Sequence, residues 1–354
     1  MRLLKRLLGL SGNPTSQPEE SRGRLPGRPR PVPAFVLACP RSGTTWLRRA
    51  LNAHPEILCV ERRLFGMYWD TVQDAGAARP RLRLTTDYYM SSLAPVVHGG
   101  DLPVNPEELA ALMLSRFVAT LDECLLDVSS KTLLVDKLTP YPGTAEAVAA
   151  GIQRCCPDAP IIQLIRDGRD VATSGVFHWL NKTTGEGDDP IRRQRVAYFV
   201  ERRQGVQLER FFSDQDLSQW CDLWTTAIQV AKLLRPRHRI LTVRYEDMIQ
   251  DFPTVLAGLF SFLGVDASRD IVDHAVQNAS FEKMSGGRRR GEEDPTAHVR
   301  KGVTGDWRNY FTRQDADVFC RLAGEELRAW GYEADDDWVK DVPAVLKLPN
   351  PHQG

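Results

Sequence analysis

The stretch AFVLACPRSGTTWLRRAL, residues 34–51, decides how the rest of the chain is read. Ala34 to Ala38 is a short apolar run whose length and flanks suit a buried strand. It gives way to a loop, Cys39 to Thr45, holding proline, arginine, serine, glycine and two threonines. Beyond the loop Trp46, Leu47, Ala50 and Leu51 recur at helical spacing, and His54-Pro55 closes the helix. Gly43 permits a tight turn, and the N–H groups that open the helix can surround an anion. Ser42, Thr44 and Thr45 add hydroxyl donors, and Arg41 adds a fixed charge. An ordinary cap on a buried helix would carry similar letters, so the loop by itself is a cradle without an assigned anion.

Moving outward, Thr132 to Val135, Pro160 to Ile165 and Arg239 to Arg244 are further strand candidates, each followed by a polar loop and a helix-like stretch. Strand, loop and helix in repetition predict an α/β fold, a mainly parallel sheet with helices on both faces. Ligands of such sheets sit at the carboxyl ends of the strands. Residues 60–130 and 181–220 lack the rhythm and carry aromatics: Phe65, Tyr68, Trp69, Tyr88, Tyr89, Tyr198, Phe211 and Phe212. They read as lid-like insertions covering the site. Residues 1–33 read as a flexible tail rich in Pro, Arg and Gly, and residues 34–349 as a single domain.

Composition bounds the partners. Lysine plus arginine equal aspartate plus glutamate at 46 each, so no overall field draws the chain onto nucleic acid or a membrane surface. Only nine of those 46 cations are lysines, which makes a lysine inside a motif more informative. The seven cysteines are scattered, without paired metal-ligand spacing, and read as reduced thiols in a cytoplasmic protein with no metal site. The apolar run in MRLLKRLLGL is too short for a signal-peptide core or a membrane span, and reads as a disordered leader, with a weak interfacial helix as the alternative.

Two more stretches bear anion-binding chemistry. In IIQLIRDGRDVATSG, Arg166 ends a strand and Ser174 follows eight residues on, so the two could grip one phosphate from two sides. In VRKGVTGDWRNYFT, residues 299–312, Arg300 and Lys301 stand beside Gly302, which lets a ligand approach the backbone closely. Taken together, the three stretches resemble the sulfotransferases that use 3′-phosphoadenosine 5′-phosphosulfate (PAPS), over most of residues 34–312. Pro-Arg-Ser-Gly-Thr-Thr-Trp is similar to their 5′-phosphosulfate loop, with Arg41 where lysine is usual. Arg166 and Ser174 match their 3′-phosphate pair, and Arg300-Lys301-Gly302 followed by Gly305-Asp306-Trp307 matches their C-terminal nucleotide motif. RYEDM, with Tyr245, and SFEKM, with Phe281 and Met284, resemble weaker family matches; the resemblance places Phe281, Met284 and Trp46 near the adenine.

The resemblance implies a three-layer, P-loop-nucleotide-hydrolase-like fold, PAPS as co-substrate without a metal, and transfer of a sulfonate to a hydroxyl of a small-molecule, lipid or carbohydrate acceptor. Cytosolic members place a base histidine after a Lys-Thr pair, whereas carbohydrate-type members place a carboxylate just before a lysine. LLVDKLTPY resembles the second pattern, making Asp136 the candidate base and Lys137, with Arg41, the stabiliser of leaving-group charge. Strand neighbours point to opposite faces, so Asp136 and Lys137 serve together only if the strand has broken at Asp136. His98, in VVHGGD, is the other candidate base. Cytosolic members also carry a Thr-Val dimer patch where this chain has Thr312-Arg313, which leaves the oligomeric state open. A P-loop kinase is the rival, since LLVD imitates a magnesium-holding strand, but Gly-x-x-x-x-Gly-Lys-Ser/Thr is absent. A nucleotide-binding scaffold without catalysis is the other alternative.

Overall fold

Ala34–Ala38 forms strand β1, buried at every position, and it pairs in parallel on both edges. The computed structural model describes residues 32–62, 64–65, 71–74, 77–80, 105–180, 189–203, 205–346 and 348. The main sheet joins β1 to β2 (Ile57–Val60), β5 (Leu133–Leu138), β6 (Ile161–Ile165) and β7 (Ile240–Arg244), in the order β2-β5-β1-β6-β7 and all parallel. A separate antiparallel pair joins β3 (Thr71–Asp74) and β4 (Ala77–Pro80).

Alternation along β1 sorts the two helical layers. Val36 and Ala38 face Trp46, Leu47 and Leu51 of α1 (Thr44–Ala53), with Leu256, Leu259 and Phe260 of a later helix, Phe252–Leu263, in the same cluster. Phe35 and Leu37 turn the other way, onto a cluster that includes Ile152 of the helix Ala145–Cys155 and Val230 and Leu234 of the helix Asp214–Leu234. Each large side chain removed from water there contributes about 1.5–3 kcal/mol. The expected three-layer α/β architecture is therefore the one observed.

Local signals start and stop the helices. The helix Asp214–Leu234 opens with a capping box in which Ser213 and Asp216 exchange side-chain and backbone bonds, and Thr312 with Asp315 does the same for the helix Arg313–Ala329. A third cluster, rich in aromatic rings, packs Phe177, Phe211 and Tyr310 together, with Phe211 and Tyr310 centroids 4.8 Å apart. Tyr198, Phe211 and Phe212, expected over the site, are buried in this core, and Phe65 packs edge-on against Phe35. Tyr68, Trp69, Tyr88, Tyr89, His98 and residues 1–31 of the expected tail lie outside the described residues.

Two strand boundaries differ from expectation. β2 was not anticipated, and β5 runs three residues past Val135, through Asp136 and Lys137 to Leu138. Pairing explains both: Asp136 is in register with Phe35 of β1 and Val60 of β2, so neighbours on either side hold the backbone extended. All seven cysteines are free, with Cys39, Cys59, Cys156 and Cys221 buried and Cys124 exposed. Among the described residues no helix is long and apolar enough to cross a membrane.

Candidate active site

The loop after β1 is shaped by two left-handed residues. Gly43 has φ 92°, and a Cβ there would lie 2.6 Å from the Tyr245 ring. Arg41 has φ 70°, a conformation costing a non-glycine residue about 1–2 kcal/mol. Gly43 is the N-cap of α1 and supplies no side-chain cap, leaving the first-turn N–H groups to an outside acceptor.

The fold brings the three stretches to one cavity. Arg41, Gly43, Thr44, Thr45 and Trp46 line it from the first, and Arg166 and Ser174 from the second. Arg300, Lys301 and Gly302 close it from the third, with Tyr245, Phe281 and Met284 on the remaining side. Ser42, in the same loop, is buried and does not line the cavity. Arg41 is the hub: its Nε donates to Ser174 Oγ at 3.2 Å and its Nη2 to the His298 carbonyl at 2.8 Å. Arg166 donates to the Arg41 carbonyl at 3.1 Å and the Val303 carbonyl at 3.0 Å, tying the first loop to the third. A Cβ on Gly302, whose φ is 69°, would come 2.3 Å from the Phe281 ring, so only glycine fits that turn.

The electrostatics ask for an anion. Burial, reinforced by the neighbouring Arg166 and Arg300 guanidiniums, lowers the Arg41 pKa to about 10. Despite its own burial, Arg166 is held above its ordinary value by Asp170, Tyr245 and Glu246, and Arg300 by Asp306 and Glu293. Four buried polar atoms here have no hydrogen-bond partner among the described residues: Ser42 Oγ, Trp46 Nε1, Arg166 Nε and Arg300 Nε. Buried donors of this kind are normally satisfied. Helix-start N–H groups and buried guanidinium groups thus stand around one cavity, a set that suits an anionic ligand.

Asp136 and Lys137 lie near the end of β5, beside β1, and neither lines this cavity. The strand does not break at Asp136, so the two side chains leave on opposite faces of β5. Asp136 is fully buried: its carboxylate accepts from Arg62 N and Arg62 Nε, both at 3.0 Å, while the same guanidinium also pairs with Asp122. Burial raises the Asp136 pKa against the pull of Arg62. Lys137 pairs instead with Glu61 at 2.8 Å, a carboxylate whose side chain is 24% exposed.

Several residues of the site carried no clear sequence signal. Asp170 accepts from Gly305 N at 2.7 Å and Trp307 N at 3.0 Å, anchoring the third stretch. Arg169, which pairs with Asp167 and Glu333, stacks 3.8 Å above the Trp307 ring. His298 touches both Arg41 and Thr45, and Arg290 lines the cavity. The repeated Arg-Asp of RDGRD was the one usable hint, since each ion-paired member holds a different loop.

A family model for the sulfotransferase domain matches residues 151–331, just over half of the chain. The chain belongs to that sulfotransferase family. The matched stretch contains Arg166, Ser174, Tyr245, Phe281, Met284 and Arg300 to Gly302, but neither the loop after β1 nor the Asp136-Lys137 pair. Mouse sulfotransferase 2A6 is 27% identical over 177 residues, 48% of this chain and 56% of the relative. Human sulfotransferase 2A1 is 27% identical over 179 residues, with the same two coverages. This sulfotransferase-family chain thus spans little more than half the length of the relatives it matches. Among solved structures, mouse sulfotransferase SULT7A1 complexed with PAP is similar over 87% of both chains, at 18% identity and a TM-score of 0.48.

Proposed function

We propose that the protein transfers a sulfonate from PAPS to a hydroxyl of a small-molecule, lipid or carbohydrate acceptor. The observation carrying this reading is the meeting of three remote stretches around one cavity lined by Arg166 and Arg300, whose buried Nε atoms have no partner among the described residues. Family membership supports it. Arg41 and the N–H groups opening α1 would hold the 5′ end, Arg166, Ser174 and Arg300 the 3′-phosphate, and Trp46, Tyr245, Phe281 and Met284 the base. The bound donor supplies the sulfonate and a phosphate leaving group. Arg41, which lines the cavity, and Lys137, near the end of the strand beside β1, would stabilise charge growing on the leaving oxygen, about 3–4 kcal/mol for a well-placed donor. In this reading Glu61, part-exposed beside Lys137, takes the acceptor proton, and Asp136 anchors the strand end. The reading includes a cytoplasmic location, supported by seven free thiols.

The test is turnover. Purified protein incubated with sulfur-labelled PAPS and a panel of phenols, alicyclic alcohols and sugars is expected to pass label to at least one class. Transfer of phosphate from magnesium-ATP instead would establish the kinase alternative. Tight binding of adenosine 3′,5′-bisphosphate with no transfer to any acceptor would leave a binding scaffold.

A further inference from the structure

At the base end of the cavity stands a cation that the phosphate contacts leave unused. Arg290 follows the short helix Phe281–Ser285, and its guanidinium lies 4.4 Å from the Trp46 ring centroid and 5.5 Å from that of Phe281. Both rings are fixed from behind. Trp46 packs on Phe252 at 4.3 Å between centroids, and the Phe281 ring lies so close to Gly302 that a Cβ there would come 2.3 Å from it. Arg290 is steered by its own bond, Nη1 donating to the Gly302 carbonyl at 3.2 Å. The backbone beside it is pinned to the third stretch by Gly291 N donating to the Lys301 carbonyl at 2.9 Å.

Two further observations point to a ligand. Trp46, Phe281 and Arg290 are the three residues that border both the cavity and an open groove of about 600 Å³ on its far side, so they form the partition closing the base end. Unlike Arg300 and Lys301, which share Asp306, Arg290 pairs with no carboxylate among the described residues. Partial burial without such a partner lowers its pKa. A guanidinium held over aromatic faces, with N–H donors to spare, suits a flat, electron-rich ring bearing acceptor nitrogens.

We infer that Arg290 is a base-recognition residue: its guanidinium completes the slot made by Trp46 and Phe281, stacking on and donating to the purine that enters there. The inference rests on the nucleotide reading above. It assigns Arg290 to the base and not to the phosphates, and it makes the base an active contributor to affinity.

The experiment compares AMP with ribose 5-phosphate, which carries the same phosphate without a base, by titration calorimetry at one salt concentration. In the wild type AMP is expected to bind more tightly. Arg290→Ala is expected to weaken AMP roughly tenfold, in keeping with a cation–π contact, and ribose 5-phosphate less than about twofold. Arg290→Lys, which keeps the charge, is expected to recover part of the AMP loss, and it serves as the second variant if the alanine protein does not fold. Parallel weakening of both ligands would make Arg290 a general charge and overturn the inference, as would no change in either. If the wild type binds neither AMP nor adenosine 3′,5′-bisphosphate, the nucleotide reading falls first and takes this one with it.

Discussion

Arg166 leaves β6 with its two terminal nitrogens given to the Arg41 and Val303 carbonyls and its Nε to no group among the described residues. A charge-assisted bond from that donor to a 3′-phosphate is worth about 1.5–3 kcal/mol. Arg166→Ala is therefore expected to weaken adenosine 3′,5′-bisphosphate by that amount in a calorimetric titration while AMP changes little. An equal loss for AMP would mean that the arginine matters only through the two carbonyls it holds. Asp136 and Lys137 separate just as sharply. Removing the Asp136 charge strips one partner from a buried Arg62, so Asp136→Asn should lose about 3 kcal/mol in a urea titration. Lys137→Ala should keep a midpoint close to wild type and lose about 100-fold in turnover. A stable but inactive Asp136→Asn would return the proton-acceptor role to Asp136. The stretches that line the cavity were legible because each is a short local string. Arg290, His298, Arg62 and Asp122 were not, since what marks them is a partner far away in sequence, and a lone Arg or His among loop residues carries no period.

At the scale of elements, the loop from Val299 to Trp307 is held less by its own turns than by Asp170 from one side and Asp306 from within. Although burial works the other way, Arg300 and Lys301 hold the Asp306 carboxyl below its ordinary value. A depressed folded-state pKa means that the pair contributes stability above about pH 4, the unfolded carboxyl's value, and that the contribution fades as pH falls through the folded one. Wild type and Asp306→Asn should thus differ by a constant free energy from pH 7 to about 4.5, and the difference should shrink as pH falls below about 4 in urea titrations. A gap that widens in acid would contradict this assignment. The same scale shows where strand prediction stopped short. The apolar run of β5 ends at Val135, but its hydrogen-bonding partners do not, and only β1 and β2 standing on either side carry the backbone on to Leu138. Periodicity reports which face is buried; it is silent on how far a neighbour extends the ladder. Tyr198, Phe211 and Phe212 of the 181–220 stretch misled for a related reason, because apolar rings look alike whether they cover a site or fill a core.

Across the whole molecule, residues 41, 166 and 300 meet because β1 and β6 are adjacent in the sheet while the third stretch is moored to the helix that follows β6. A ligand touching all three couples distant parts of the chain. Adenosine 3′,5′-bisphosphate at 100 times its dissociation constant should add about 2.7 kcal/mol to stability and raise the melting temperature by several degrees. ADP at the same concentration, with or without magnesium, should raise it less, and equal shifts would remove the case for a 3′-phosphate site. The burial of the cysteines has a practical consequence of its own. Burial pushes the Cys59 thiol up to about 12 and the Cys155 and Cys320 thiols up to about 11, and it raises Cys39, Cys156 and Cys221 as well, so few thiolates exist at neutral pH to attack an electrophile. Cys124 alone is exposed. A brief maleimide pulse should add one label to the native protein and seven after denaturation. Mass spectrometry of the adducts would then read the unfolding of a particular layer directly, and a dye placed on Cys124 needs no engineered cysteine.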